Sequence, residues 1–477
     1  MKEAVSDTHP PAFAGRWLTA AEDMAPFLTD WRRKWTGSAY AVAQPESAED
    51  VAAVVRWCVQ QRRPIVAQGG NTGLSGGATP DAEGHAVVLS LARMQRIRGI
   101  DTVNDTITVD AGCTLLAVQQ AAESAGRLFP LSLAAEGSCT IGGNLATNAG
   151  GVQVLRYGNA REQCLGLEVV TAEGQIWNGL RALRKDNTGY ALRDVYIGSE
   201  GTLGIITGAV LKLAPQPASR VAAFCAIASP QQALDVLNLA RRHLGPALTA
   251  CELISDVSLA LVLRHLPAAR HPMETTTPWY LLLEASEPHQ NAGSGPGAAM
   301  QALLEEAFEQ NLLEDAAVSA SLAQFKALWL LREGISESQG AEGKTIKHDI
   351  SLPISAIARF VEEAAQAVRF YAPAVRLVVF GHMGDGNLHY NISPPEGGMA
   401  PGVFEALEDP LNRIVHDLAI AYGGSISAEH GLGVLRRDES LRAKSPVEAD
   451  LLRRIKAALD PLGLLNPGKV LPADFIT

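Results

Sequence analysis

The stretch "FGHMGDGNLHYNI", residues 380–392, sets His382 and His389 on either side of a Gly-Asp-Gly turn. The turn predicts a hairpin, and His389 and Asn391, two apart on a strand, share a face. Such a hairpin points both imidazoles to one spot. Two imidazoles alone suit a metal ion and a structural pair about equally. A third ligand is needed, and "SISAEHGLG" offers Glu429, with His430 beside it. Asp385 in the turn is a rival carboxylate, although an Asp in a Gly-rich turn commonly bonds its own backbone N–H groups. Two neutral imidazoles and one carboxylate suit Zn²⁺ or a similar divalent ion, and three protein ligands leave a position open for substrate.

The segment "LREGISESQGAEGKTIKHDISLP" adds cations. Arg332 and Ser336 are four apart and so lie on one helix face. Lys347 sits in a strand-like segment that can converge on them. Arginine suits bidentate carboxylate binding and lysine a point-charge contact. One cation plus the metal suffices for a monocarboxylate; a second cation is best explained by a second carboxylate. Asn391 offers a further hydrogen bond to substrate.

Three glycine-rich segments carry a different chemistry. "VAQGGNTGLSGGATP" places Gly69, Gly70, Gly73, Gly76 and Gly77 directly after a strand, "PLSLAAEGSCTIGGNLATNAGG" fills 130–151, and "YIGSEGTLGIIT" fills 196–207. Glycine lets backbone N–H groups approach a phosphate closely. The first run is not a Walker A loop, because no Gly-Lys-Ser/Thr follows, and it does not lead straight into a helix as a dinucleotide fingerprint would. Together the three suggest one long polyanionic cofactor, a diphosphate joined to a redox ring. A metal-dependent hydrolase would need the histidines and the glutamate but not these segments. A non-catalytic flavin-binding subunit would keep the segments and lack the metal set.

Residues 36–216 resemble the FAD-binding domain of the vanillyl-alcohol oxidase superfamily, and from about Tyr40 to Leu471 the chain is similar to its D-2-hydroxyacid dehydrogenase branch. That branch includes D-lactate, glycolate and D-2-hydroxyglutarate dehydrogenases. The resemblance implies FAD bound by Gln68, Gly69, Gly70, Asn71, Thr72, Gly73, Leu74 and Ser75; by Pro130, Leu133, Glu136, Gly137, Ser138, Ile141, Gly142, Gly143 and Asn144; by Thr147, Asn148, Gly150 and Gly151; and by Gly201, Gly204 and Ile206, with Asn466 of "NPGKVL" returning near the flavin. It also implies metal at His382, His389 and Glu429, with His430 as the base that takes the substrate hydroxyl proton while a hydride passes from carbon 2 to the flavin. Members with covalent flavin often carry a histidine in the first glycine loop. Asn71 stands there, so non-covalent FAD is expected, and Cys139 lacks the setting for a thioether. The D-2-hydroxyglutarate enzymes carry Arg, Thr and Lys where this chain has Arg332, Ser336 and Lys347. The expected reaction is therefore metal-dependent oxidation of D-2-hydroxyglutarate to 2-oxoglutarate, with D-lactate or D-malate as the alternative substrate. The electron acceptor would be an electron-transfer flavoprotein or a quinone.

The elements that must position these residues follow from pattern. Ser47 and Asp50 read as a capping box opening a helix with Val51, Val54, Val55 and Cys58 on one face. "RPIVAQ", "HAVVLSL" and "NDTITVDAG" read as strands, followed by a helix from Thr114 to about Ala125. Strands are expected at 221–228 and 278–285, and helices near 230–243, 255–264, 300–310, 321–333 and 354–369. "PHQNAGSGPGAAMQ", 288–301, reads as an exposed linker-like loop. The predicted class is α+β: a helical N-terminal segment (1–35), a two-subdomain FAD-binding domain (36–216), an antiparallel-sheet substrate and metal domain (217–415), and a C-terminal helical segment (416–477) that completes the active site.

The chain's 477 residues, 47% hydrophobic and 19% charged, fit a globular protein of two or three domains. A net charge of −11 argues against nucleic-acid and anionic-membrane partners. Six scattered cysteines read as reduced thiols, and neither a signal peptide nor a membrane-length apolar run is visible, so a cytoplasmic enzyme is expected. The oligomeric state is open, a homodimer included.

Overall fold

Ser47 caps the helix Ala48–Gln60 by accepting the Asp50 N–H at 3.1 Å. Val51, Val54, Val55 and Cys58 of that helix are buried, as the spacing predicts. Thr114 caps Leu115–Ser124 in the same way. A computed structural model describes residues 10–288 and 295–476. The chain divides into two compact units. The first combines Met1–Gly151, Gly158–Pro215 and Glu429–Thr477, and the second combines Val152–Tyr157 and Gln216–Ala428.

Among the described residues the first unit holds two main sheets and a two-stranded one that pairs Arg127–Leu128 with Ala214–Pro215. Parallel strands Ala41–Gln44, Val87–Ser90 and Ile65–Gln68 are extended by the antiparallel strand Arg16–Leu18. The second sheet is antiparallel, in the order Ile97–Asp101, Thr106–Asp110, Ile205–Lys212, Cys164–Val170, Ile176–Gly179. The segment expected to be helical before residue 36 therefore contributes a strand, followed by the single-turn helix Ala21–Met24. Trp17 explains the preference: its ring meets Phe13 and Trp57 edge-on, a packing that extended backbone supplies.

The second unit is built on one seven-stranded antiparallel sheet, ordered Asp315–Val318, Ser219–Ile227, Trp279–Glu287, Leu248–Ser255, Arg376–His382, Asn387–Ser393, Asp349–Ser351. Helices Pro230–Leu244, Pro296–Glu309 and Ile357–Tyr371 pack on one face, and Asp256–His265 and Leu322–Glu333 on the other. Of the loop expected over 288–301, residues 289–294 lie outside the described residues. Pro296 onwards is already helix, with proline in the first turn, where its missing N–H costs nothing.

The expected C-terminal segment starts later than residue 416. Glu408–Ala421 belongs to the second unit, and only Glu429 onwards joins the first. A buried ion pair ties that return in place. Lys456 Nζ reaches Asp460 and the carbonyls of Thr202 and Leu465, and Asp460 accepts the N–H groups of Leu464 and Leu465. Leu464 and Leu465 lie beside Ile65 of the parallel sheet. Burial pushes the Lys456 ammonium below its ordinary pKa, with the Asp460 carboxylate opposing the shift. Lys456→Met should strand the Asp460 charge in the interior and cost about 3–5 kcal/mol, read as a lower urea midpoint for the first unit.

Candidate active site

Strand parity sorts the second unit's side chains. In Arg376–His382 and Asn387–Ser393, Val379, Leu388, Tyr390 and Ile392 enter the core on one face, while Val378 and Phe380 pack on the other. His382, His389 and Asn391 fall on the Phe380 face by the same alternation. Phe380 pairs with His389 across the hairpin, and the two imidazole centroids lie 5.8 Å apart. Asp385 closes the turn, its Oδ1 accepting the Asn387 N–H at 3.1 Å. Ile346 bridges Ile392 and Ile350 pairs with Leu388, a register that sets Lys347 opposite Asn391 and Asp349 opposite His389. Arg332, buried in Leu322–Glu333, covers this face: its guanidinium lies 4.9 Å from the Phe380 ring centre and its Nη2 3.4 Å from His382 Nε2. The second unit thus gathers Arg332, Lys347, His382, His389 and Asn391 on one sheet face. Ser336 lies in the next helix, Ile335–Ala341, past Gly334, and is exposed.

Two carboxylates that pattern reading passed over stand behind the histidines. Glu252, 1% exposed, pairs directly with His382 in the sheet register. Its Oε1 accepts from His382 Nδ1 at 2.7 Å and its Oε2 from Arg332 Nε at 2.6 Å. Burial alone would raise its pKa; His382 and Arg332 outweigh the burial and hold it well below the usual carboxylate range. Asp349 Oδ1 lies 3.9 Å from His389 Nδ1 and accepts from Asn387 Nδ2 at 2.9 Å. His382 so turns Nδ1 to a carboxylate at hydrogen-bond distance, and Asp349 is the acid nearest to Nδ1 of His389. The available signal for Glu252 was a lone acid in the otherwise buried strand "LTACELIS". Asn391 is held on both sides: its Oδ1 accepts the His348 N–H at 3.2 Å and its Nδ2 donates to Gln339 Oε1 at 2.9 Å.

In the first unit the three glycine segments line one groove, enclosing about 960 Å³ with its open mouth included. Gln68, Gly69, Gly70, Asn71, Thr72, Gly73 and Ser75 line it from the first segment, Gly142, Gly143, Asn144 and Thr147 from the second, and Gly201, Gly204 and Ile206 from the third. The segments are pressed together. A Cβ on Gly70 would lie 1.9 Å from the Ser138 carbonyl oxygen, so no larger residue fits. Ala67, Gly77, Ala78, Leu91, Thr140, Ala146, Glu200, Ile205 and His430 complete the lining.

Several expected cofactor residues spend their side chains on the protein instead. Gln68 donates to the carbonyls of Phe27 and Ala78, and Asn71 to that of Thr29. Glu136 accepts from Gln119 and Ser132, and Ile141 is core. Leu74, Pro130, Leu133, Gly137, Ser138, Asn148 and Asn466 stand outside the groove lining. Asn466 is nonetheless anchored to lining residues, donating to the carbonyls of Gly77 and Glu200. What the groove offers is mainly backbone, which suits a phosphate-bearing ligand.

Gly150 and Gly151 meet Glu429. The Gly151 N–H donates to Glu429 Oε1 at 2.6 Å, and a Cβ on Gly150 would lie 2.7 Å from that oxygen. The next residue, His430, is fixed through its backbone. Its carbonyl accepts from Ser75 Oγ at 3.2 Å, while Glu200 accepts the N–H groups of Leu432 and Gly433 at 2.7 and 2.9 Å. Burial raises the Glu200 pKa; those two N–H groups oppose it. Glu200 is a positioning group that pattern reading did not find.

Residues 216–470 match the family described as FAD linked oxidases, C-terminal domain, and residues 39–179 match the FAD binding domain. The mitochondrial D-2-hydroxyglutarate dehydrogenase of Bos taurus is 39% identical over 461 residues, covering 96% of this chain and 81% of that protein. The D-2-hydroxyglutarate dehydrogenase of Xanthomonas citri pv. viticola is 40% identical, over 95% of this chain and 94% of that one. The enzyme of that name from Stutzerimonas stutzeri is 37% identical, over 96% and 97%. In fold, the chain is similar to p-cresol methylhydroxylase with substrate bound (TM-score 0.73, 16% identity, 96% and 94% covered) and to 4-ethylphenol oxidase from Gulosibacter chungangensis (TM-score 0.70, 18% identity, 96% and 95% covered). The expected α+β architecture of the vanillyl-alcohol oxidase type therefore holds. Among the described residues, no helix is long and apolar enough to cross a membrane. Gly70→Ala should force the first two glycine segments apart at a cost of about 1–3 kcal/mol. FAD affinity should fall roughly 10–100-fold, measured by flavin fluorescence titration of the apoprotein.

Proposed function

Because the chain belongs to the FAD-linked oxidase family, we propose that it oxidises D-2-hydroxyglutarate to 2-oxoglutarate, with non-covalent FAD and a divalent metal, zinc by its donor set. The single observation that carries the substrate is the shared sheet face of Arg332 and Lys347. Two cations beside two imidazoles suit a molecule with two carboxylates and a hydroxyl. Asn71, tied to Thr29, and Cys139, a buried thiol whose pKa is raised by burial, support FAD held without a covalent bond.

The metal reading rests on donor chemistry. His382 turns Nδ1 to the Glu252 carboxylate at hydrogen-bond distance, the arrangement that histidine ligands of zinc commonly take, and the Asp349 carboxylate lies 3.9 Å from Nδ1 of His389. Glu429 is the third ligand in this reading. It follows Ala428, whose N–H donates to the Asp349 carbonyl at 3.0 Å on the strand that pairs with His389. A divalent cation, when bound, lowers the pKa of a coordinated hydroxyl. FAD, when bound, supplies the two-electron acceptor for the hydride on carbon 2.

The chain's own residues do the rest. Arg332 and Lys347 bind the two carboxylates and fix which way the substrate lies. Ser336 and Asn391 add hydrogen bonds. His430 takes the hydroxyl proton, a general-base contribution typically worth about 10²–10⁴-fold. Its imidazole can hold one position because Ser75 and Glu200 fix the backbone around it. An electron-transfer flavoprotein or a quinone reoxidises the flavin, and the six free, buried cysteines suit the reducing cytoplasm.

Anaerobic flavin bleaching tests the reading. Purified enzyme is mixed separately with D-2-hydroxyglutarate, L-2-hydroxyglutarate, D-lactate and D-malate, with and without EDTA pretreatment. Bleaching by D-2-hydroxyglutarate that EDTA abolishes is expected; preference for D-lactate would overturn the diacid assignment. Lys347→Ala should remove one charged hydrogen bond worth about 1.5–3 kcal/mol, lowering kcat/KM for D-2-hydroxyglutarate roughly 10–150-fold and leaving D-lactate little changed. His382→Ala should abolish turnover and zinc uptake while the protein stays yellow.

A further inference from the structure

We infer that Glu252 is a positioning residue that sets, through one carboxylate, both the metal-binding face of His382 and the orientation of Arg332. The inference rests on the roles proposed above for those two residues. Glu252 lies 130 positions from His382 in the chain and 80 from Arg332, yet it is in hydrogen-bond contact with both. Its two oxygens are divided between them, Oε1 to His382 Nδ1 and Oε2 to Arg332 Nε.

A carboxylate only accepts hydrogen bonds. The 2.7 Å contact therefore places the His382 proton on Nδ1 and leaves the lone pair on Nε2. Arg332 is consistent with that tautomer, since its Nη2, a donor only, faces Nε2 at 3.4 Å. Nε2 is the atom a metal would take. Without Glu252 the ring would be at liberty to carry its proton on Nε2, where it blocks coordination. The charge matters as well. An arginine 6% exposed needs an anion beside it, and with Nε on that anion and Nη2 at His382, Nη1 is the nitrogen left for a substrate carboxylate. Strand pairing holds the arrangement, because Glu252 and His382 are direct neighbours in the register and share a face. One side chain so links a metal ligand to a substrate-binding cation.

Glu252→Gln keeps volume and an acceptor oxygen but removes the charge and admits an N–H donor. The test uses flavin-loaded, full-length enzyme stripped of metal, with ¹⁵N-labelled histidine and the His382 signals assigned by their loss in His382→Ala. The native enzyme should give the Nδ1–H tautomer, and the Gln variant a mixture with Nε2–H. Zinc affinity, measured by chelator competition, should fall about 10–100-fold in the Gln variant. KM for D-2-hydroxyglutarate should rise in parallel. Glu252→Asp, which keeps the charge, should recover part of the zinc affinity; a deficit equal to that of the Gln variant would mean that packing rather than charge was lost, and overturns the inference. An Nε2–H tautomer in native enzyme, or a Gln variant with unchanged tautomer and zinc affinity, overturns it too. If the tautomer shifts as expected but native enzyme takes up no zinc, the inference about His382 stands and the metal reading of the preceding section falls.

Discussion

A sheet covered by helices on both faces leaves its charged groups nowhere to go but to one another. In the second unit this constraint governs everything chemical. Glu252, His382 and Arg332 lie under helices, each at most 6% exposed. None could be buried alone without a desolvation cost of several kcal/mol. Register supplies the remedy. Adjacent antiparallel strands put side chains directly opposite one another on the same face, so Glu252 meets His382 and Asp349 meets His389. Phe380 and Val378 lie buried on the same face. The polar row is thus held at fixed distances by the backbone ladder rather than by flexible loops.

The first unit solves the opposite problem. It must offer a long, charged ligand many hydrogen-bond donors without side chains in the way. Its glycine segments do so by standing back to back, as the fit of Gly70 against Ser138 requires. Side chains that might have reached into the groove turn outward as struts, among them Gln68, Asn71 and Glu136. Glu200 applies the same economy to the segment that carries His430. It grips the backbone just after His430, accepting the N–H groups of Leu432 and Gly433.

Local pattern made much of this legible. The cap at Ser47, the hairpin at the Gly-Asp-Gly turn, and the shared face of His389 and Asn391 depend on residues a few positions apart. Such spacing is visible in a single sequence. The glycine segments were also readable, since three of them in one region have few uses. The struts and pairs were not. Glu252 is just one acid in an apolar strand until the sheet order places Arg376–His382 next to Leu248–Ser255. Gly150 and Gly151 looked like further cofactor contacts, yet they serve Glu429, 278 positions from Gly151 in the chain. The N-terminal strand was missed because three residues, Arg16–Leu18, carry too little periodicity to identify extended backbone. Ser336, four positions from Arg332, lies in the helix that follows Gly334.

The division of the chain has a consequence for synthesis. The first unit is assembled from residues before 216 and after 428, and its parallel sheet is joined at Ile65 by Leu465, held by Lys456 and Asp460. A ribosome that has finished residue 215 has not yet made that last piece. At about 5–20 residues per second, the roughly 210 residues between that point and Glu429 occupy on the order of 10–40 s. Throughout that interval the nascent first unit lacks both its closing segment and His430. The second unit, contiguous but for the short Val152–Tyr157 segment, is fully translated sooner. Translation therefore finishes the second unit first and adds the segment that carries His430, and completes the first unit, only afterwards.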